Sequence, residues 1–172
     1  IIFRNNQFKD WQCINDSIMG GSSSAICYST ELGLILKGNV IEAGGGFISA
    51  KSPFIEPPFD LSSYKGIKFK IDAHGSTLKA AVRCNAKKFG ISQLLFNSLR
   101  WVDTFPTNKS GTTTLKIYFS SLTPAIRSNK VSLPVQFEPD KVVQFQILYS
   151  KFAKPGFLNS QFKSGPVEIL IR

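Results

Sequence analysis

The chain is poor in the residues that enzymes use. Its 172 residues hold one His, one Met and three Cys, and 11 Asp and Glu stand against 21 Lys and Arg. Nucleophilic catalysis needs a base held in place by a third group. The lone histidine, His74, sits in the turn His74-Gly75-Ser76, where an exposed loop role is the expected one. The acids lie singly in turn-like segments, as at Asp16, Asp60, Asp103, Glu138 and Asp140. That leaves no paired carboxylates for acid–base work and too few clustered oxygens for calcium. Cys13, Cys27 and Cys84 make neither an even framework nor a C-x-x-C pair, and His74 is far from all of them, so no metal is expected. Reduced thiols in a reducing compartment are the expectation, with a Cys13–Cys27 bridge left open.

Other absences narrow the class further. No run of apolar residues is long enough to span a bilayer. The first residues, Ile1 to Asn6, have neither an initiator Met nor a signal-peptide layout, so the expectation is a mature fragment whose targeting segment lies outside view. The nucleotide loops G-x-x-x-x-G-K-[ST] and G-x-G-x-x-G are missing. Gly44-Gly45-Gly46 leads into the apolar strand at Phe47 and not into a helix, which removes the electrostatic support a phosphate needs. No cofactor is expected. No window reads as a convincing amphipathic helix, and Phe89 to Leu99 fits a strand or a helical turn equally well.

What is present is alternation. Leu34 and Leu36, then Ile67, Phe69 and Ile71, Leu78, Ala80 and Val82, Leu115, Ile117 and Phe119, and Val143, Phe145, Ile147 and Tyr149 recur at every second position. Val167, Ile169 and Ile171 close the chain in the same way. A period of two gives each strand one buried and one wetter face. Gly, Pro, Ser and Asn clusters separate these runs as turns, and the stretch from Pro53 to Pro58 reads as a surface crossover. Many strands with regular turn signals predict an all-β fold, a jelly-roll β-sandwich, as one domain over residues 1–172. Fifteen Phe residues predict a Phe-rich core.

The net charge of +10 favours anionic partners without choosing among nucleic acid, acidic lipid and acidic protein. If the strands Ile67–Asp72 and Leu78–Cys84 are neighbours, Lys68, Lys70, Lys79 and Arg83 form a basic face that Lys116, Gln144 and Gln146 extend. Such a face could hold an acidic or phosphorylated partner, or could simply be solvated. A second candidate surface is the segment 150–163, where Phe152, Phe157, Leu158 and Phe162 interleave with lysines. It could dock on a protein, touch a membrane surface, or fold back on itself. RNA is the weaker possibility, because the cations are scattered and no recognised RNA motif surrounds Tyr64, Trp101 or Tyr118.

The most distinctive stretch is Trp11 to Ser24. Asn15, Asp16 and Ser17 are turn formers that bond nearby backbone, Gly20 and Gly21 admit a tight bend, Trp11 is an aromatic anchor, and Met19 is an apolar plug between polar clusters. A turn or capping role for Asp16 outweighs a catalytic one, and Glu42 is the acid that could approach it.

The pattern W-x-x-x-N-D-x-x-M-G-G-x-S-S in this stretch resembles the opening signature of the complex I intermediate-associated protein family, the thirty-kilodalton assembly-factor domain. Gly38-Asn39-Val40 resembles that family's F-x-G-x-V strand, with Leu36 in place of Phe. Gly45 to Ser49 resembles its G-G-F-A-S, and Asp60 to Ile67 its D-L-S-x-Y-x-G-I. Ile117 to Pro124 resembles its I-P-F-S-x-F-x-P, with Tyr118 and Leu122 as departures. The resemblance implies a galactose-binding-like jelly roll without an active site. It also implies partners among the subunits or assembly intermediates of a membrane electron-transfer complex, either respiratory complex I or a photosynthetic complex whose biogenesis such proteins serve. The implied location is a reducing compartment, soluble or peripheral to an energy-transducing membrane: bacterial cytoplasm, mitochondrial matrix or chloroplast stroma. A carbohydrate-binding or RNA-binding module of the same fold is the alternative. A function carried by the signature would rest on Asn15, Asp16, Met19, Gly20, Gly21 and Ser22 as a rigid polar rim.

Overall fold

Two antiparallel sheets face each other across an apolar core in a computed structural model that describes residues 3, 5–85, 98–132 and 134–172. The strands in chain order are β1 (Gln12–Asn15), β2 (Ser24–Thr30), β3 (Gly33–Val40), β4 (Phe47–Lys51), β5 (Gly66–Asp72) and β6 (Thr77–Cys84). They continue as β7 (Leu99–Pro106), β8 (Thr113–Tyr118), β9 (Thr123–Ile126), β10 (Asn129–Lys130), β11 (Val142–Ser150) and β12 (Gly165–Ile171). One sheet runs β1-β4-β11-β6-β7-β9-β10, and the other β2-β3-β12-β5-β8. This is the expected all-β jelly-roll sandwich. The ambiguous stretch lies outside the described residues as far as Asn97, and Leu99 opens β7.

The alternation read from the sequence builds the core. Leu34, Leu36, Ile71, Leu78, Ala80, Val82, Phe145, Ile147, Ile169 and Ile171 all point between the sheets and are buried. Enclosing a Leu or Ile contributes about 1.5–3 kcal/mol each, so this face alone outweighs any surface pair. The Phe-rich core is corrected. Phe8, Phe105 and Phe145 are enclosed, but Phe3, Phe59, Phe69, Phe119, Phe137 and Phe162 pack only partly buried against an aliphatic centre. Sheets about 10 Å apart leave little room for opposed rings, so the aromatic volume gathers at the rim. There Phe3, Phe8 and Trp11 form an edge-to-face cluster with Phe145, which confirms Trp11 as an anchor.

The proline-rich stretch is the crossover expected of it. It leaves β4 in one sheet and reaches β5 in the other, and Ile55 and Phe59 donate backbone hydrogen bonds to Val143 and Val142 of β11 on the way. Among the described residues no helix is long and apolar enough to cross a membrane.

Candidate functional site

Asp16 organises one end of the sandwich. β1 ends at Asn15, whose side-chain oxygen accepts from the Ser17 N–H at 3.0 Å and caps the 3-10 turn Asp16–Met19. Capping turns the Asp16 carboxylate inward, where it is fully buried. Its Oδ1 accepts from the Ser23 N–H at 2.9 Å. Its Oδ2 accepts from the Ser23 hydroxyl at 2.6 Å, the Gly46 N–H at 2.6 Å and the Phe47 N–H at 3.3 Å. Burial pushes the carboxyl pKa up, but these bonds to the charged form outweigh it and hold the group below the usual carboxylate range.

The glycines are there for closeness. A Cβ on Gly21 or on Gly45 would lie 2.3 Å from an Asp16 side-chain carbon. Only a residue without a side chain lets both backbones close over the carboxylate. Two of the short patterns found in the sequence, N-D-x-x-M-G-G and G-G-F-I-S, are therefore the two halves of one buried carboxylate cage. The acid expected beside Asp16 is not part of it. Glu42 is exposed and offers its backbone carbonyl to the Lys151 ammonium at 3.0 Å.

Lys151 joins the second predicted surface to this end. Its N–H donates to the Gly46 carbonyl at 2.9 Å, and its carbonyl accepts from Asn159 at 2.7 Å. Asn159 is buried and its amide bridges the Thr77 and Ser150 carbonyls, which fixes the segment that follows β11. Of the four apolar residues expected there, Phe162 stacks on Tyr149 and Phe152 is half-buried, whereas Phe157 and Leu158 are 69% and 72% exposed. Across the cage, Ile18 and Met19 are 73% and 54% exposed. Met19 is thus no plug; it projects from the turn. Gly20 and Ser22 are exposed as well. The two exposed apolar pairs thus sit on two separate loops: Ile18 and Met19 on the turn above the Asp16 cage, and Phe157 and Leu158 on a loop whose base is held by Asn159 and whose Gly156 N–H donates to the Ser128 carbonyl at 3.0 Å. Sequence reasoning missed Ser23, Gly46 and Ile18; the S-S-S run beside the signature was the available signal for Ser23.

The basic face drawn from the sequence does not exist as one surface. β5 and β6 lie in different sheets, so their outward residues point away from each other. Lys68 and Lys70 are exposed on the five-stranded sheet, with Lys116 of β8 directly opposite Lys68. On the outer side of the seven-stranded sheet, Arg83 stands next to Gln144 of β11, and its guanidinium lies 5.3 Å from the centre of the half-exposed Phe54 ring. Lys79 is on that side too, but it is only 8% exposed, and burial lowers its ammonium pKa to about 8. His74 is exposed in its turn, as expected. Among the described residues no cluster of three or more His, Cys, Asp and Glu could hold a metal. Cys13 of β1 and Cys27 of β2 are free thiols from the two sheets; their interaction pushes the Cys13 thiol up and the Cys27 thiol down, and the Cys27 thiol lies 3.8 Å from the Trp11 carbonyl it donates to.

Comparison with known proteins gives a family and a fold. The family described as Complex I intermediate-associated protein 30 (CIA30) matches over residues 1–171. No curated protein matches. Among solved structures, the family 11 carbohydrate-binding module from Clostridium thermocellum, in complex with a β-1,3-1,4-mixed-linked tetrasaccharide, superposes with a TM-score of 0.59 at 18% identity, covering 94% of this chain and 86% of its own. The same module of the cellulosomal cellulase Lic26A-Cel5E superposes with a TM-score of 0.59 at 16% identity, covering 94% of this chain and 85% of its own. The agarase AgWH50C contains a similar sandwich, with a TM-score of 0.57 at 8% identity over 94% of this chain and 21% of that one. At these identities the likeness is one of fold.

Proposed function

The chain belongs to the Complex I intermediate-associated protein 30 family, and from that premise we propose that it is a non-catalytic protein-binding domain that serves the assembly of a membrane electron-transfer complex. The observation that carries this reading is two exposed apolar pairs on fastened loops. Ile18, Met19, Phe157 and Leu158 are held out to solvent on loops whose backbones are fastened by Asp16 and Asn159. Apolar tips on a preorganised frame lose little entropy on docking, which is what a partner-binding surface requires. Lys151 and Lys154 lie on the loop that carries Phe157 and Leu158, so that loop can rest against a membrane-embedded intermediate at headgroup level. The location that goes with this reading is a reducing compartment beside an energy-transducing membrane.

A carbohydrate-binding role is the second reading, favoured by the fold of the neighbours. Against it, both tryptophans that could serve as sugar platforms, Trp11 and Trp101, are buried in the core. Titration with a mixed-linkage tetrasaccharide tests it directly, and millimolar sugar without a heat of binding removes it.

The docking reading is tested by pull-down from native membranes, comparing the wild type with Ile18→Ser/Met19→Ser and Phe157→Ser/Leu158→Ser. The replaced residues are exposed, so the melting temperature should hold within about 2 °C. Mass spectrometry should identify subunits of one electron-transfer complex with the wild type and lose them with both variants. Equal recovery with all three proteins would discard both apolar pairs as docking sites. Ribosomes in place of complex subunits would favour an RNA role.

A further inference from the structure

Two of the three cysteines meet at one side of the sandwich, where the sheets approach each other. β1 is the edge strand of the seven-stranded sheet there, and β2 is the edge strand of the five-stranded sheet. Cα atoms of the two strands come within 8 Å. That is closer than the roughly 10 Å between the middles of packed sheets. Cys13 pairs with Ala50 of β4 and Cys27 with Leu36 of β3, and both of those partners are enclosed in the core. Residues directly opposite on neighbouring strands share a face, so both thiols turn to the inside of the sandwich, at its margin. Both pack against the core, and both are free and half-buried. The carbonyl to which the Cys27 thiol donates, at 3.8 Å, belongs to Trp11, two residues before Cys13. A hydrogen bond between the two thiols pushes the Cys27 thiol down and the Cys13 thiol up. Cys84 is the contrast. It lies on β6, where burial pushes its thiol up to about 12. The stretch between Cys13 and Cys27 holds the whole signature turn: the Asn15 cap, the Asp16 carboxylate, the exposed Ile18 and Met19, and Ser23.

We propose that Cys13 and Cys27 are an oxidative modification site: hydrogen peroxide joins them in a disulfide that closes the chain around the Asp16 turn and holds Ile18 and Met19 in place. The inference rests on the proposed function and deepens it, naming a regulation of one of the two docking pairs. Cys27, the thiol that accepts from its partner, is the attacking sulfur. As a thiolate it bonds to one peroxide oxygen, the O–O bond breaks, and the departing hydroxide takes up the proton Cys27 released, giving a sulfenic acid and one water. The Cys13 sulfur then attacks the Cys27 sulfur, the S–O bond breaks, and the second hydroxide leaves as water with the Cys13 proton. Two thiols are oxidised by two electrons, and one peroxide is reduced to two waters. A disulfide needs an S–S length of about 2.05 Å and Cα atoms about 4.4–6.8 Å apart, which side-chain rotation and a small strand movement supply at this margin. In a reducing compartment the pair rests as the dithiol, and a thiol reductant returns it to that state.

The test begins with the folded wild type. Protein treated with a small excess of hydrogen peroxide is alkylated with N-ethylmaleimide and mapped by mass spectrometry without reduction. The map should show a Cys13–Cys27 peptide pair lighter by about 2 Da than the two thiol peptides, while Cys84 still takes up the label. Dithiothreitol should restore labelling at all three positions. The oxidised protein should melt about 5–10 °C higher than the reduced one, because the ring restricts the unfolded chain. Hydrogen exchange at the Asp16–Ser23 amides should slow by about threefold or more on oxidation, with no change at Gly156. Cys27→Ser should abolish all three responses, and Cys27→Ala serves if the serine variant does not fold. Cys13 and Cys27 that stay open to label after peroxide would overturn the proposal. So would Cys84 oxidised equally fast, cross-links between chains in place of the internal bridge, or a bridge that leaves melting and turn exchange unchanged. None of these measurements contains an assembly intermediate. An unreactive pair beside a positive membrane pull-down therefore fails this inference alone, and a formed bridge beside a pull-down that recovers nothing in either redox state fails the docking reading alone.

Discussion

Charge is handled in opposite ways at the two notable regions of this molecule. At the sandwich end, one fully buried carboxylate, Asp16, accepts four hydrogen bonds from Ser23, Gly46 and Phe47. On the outer side of the seven-stranded sheet, Lys51, Arg83 and Arg100 gather charges of one sign, and burial, then the neighbouring cations, hold Lys51 and Arg100 below their ordinary values. The first arrangement spends its polar groups internally, on fastening two loops together. The second gathers charge of one sign by strand register. A buried charge is held by donors that the chain brings to it, whereas like charges brought together by sheet register oppose one another.

The contrast can be broken most severely at the cage. Asp16→Ala leaves the Ser23, Gly46 and Phe47 donors without their acceptor, and loss of one partner of a buried charged network costs about 3–5 kcal/mol. Urea unfolding should show this as a lower midpoint with an unchanged slope. Asp16→Asn keeps the volume and separates charge from shape. Because the folded pKa of Asp16 lies below its unfolded value, its contribution is complete above about pH 4 and is lost as the pH falls through the folded pKa. The wild type should therefore lose stability in that acid range more steeply than Asp16→Asn. Parallel acid curves would show that the charge is not what holds the loop.

The cage also breaks from the other side. Gly45→Ala introduces a Cβ 2.3 Å from an Asp16 carbon, and the contact is with a held group, not with a free side-chain end. A cost of about 2–4 kcal/mol is expected, read by the same unfolding measurement. Gly156→Ala is the comparison: a Cβ there meets nothing within 4 Å, so its effect should come only from its positive φ and stay near 1 kcal/mol.

How much of this was legible in the sequence follows from what alternation encodes. A period of two says which residues share a face of a strand, and Leu34, Leu36, Phe145 and Ile147 are buried as it requires. It does not say which strands are neighbours. The turn at His74-Gly75-Ser76 looks like a hairpin, yet it carries the chain from one sheet to the other. The basic face drawn across β5 and β6 failed for that reason, and Arg100, which sequence separates from Arg83 by a long insertion, went unnoticed. The signature loop was legible because turn chemistry is local: Asn15 caps and Asp16 turns inward. The partners of Asp16 were not, since the Gly46 and Phe47 amides come from thirty and thirty-one positions further on. Outward was also mistaken for exposed. Lys79 points away from the core as alternation demands, but its neighbours still cover it.

Lys79 gives a sharper reading of the charged face. Its ammonium is lowered from 10.5 to about 8 by burial alone. Between those values the unfolded chain still holds the proton and the folded chain does not, so stability rises as the pH climbs from about 8 to 10.5. Below that window both states are charged and the folded one bears the whole desolvation cost. Lys79→Met removes that cost while keeping the length of the stem, and should stabilise the protein by about 2–3 kcal/mol at pH 7 and flatten the alkaline rise. Thermal melts of both proteins at pH 7 and pH 9.5 decide this. A wild type that is no more stable at the higher pH, relative to the variant, would show that the ammonium is satisfied where it lies.

The smallest effect belongs to the gathered cations themselves. If Arg83 and Arg100 repel across the sheet, added salt should stabilise the wild type by screening them, and Arg100→Gln should take that benefit away. Both groups are partly exposed, so the difference is expected to be only about 0.5–1 kcal/mol between low and moderate ionic strength. The Arg100 N–H that bonds the Leu99 carbonyl at 2.9 Å can be replaced in kind by the Gln amide, so the substitution tests the charge more than the hydrogen bond. Equal salt responses in the wild type and in Arg100→Gln would mean that the two arginines already neutralise their field within the fold. These cations would then belong with the Asp16 cage as architecture, and the distinction between the two regions would close.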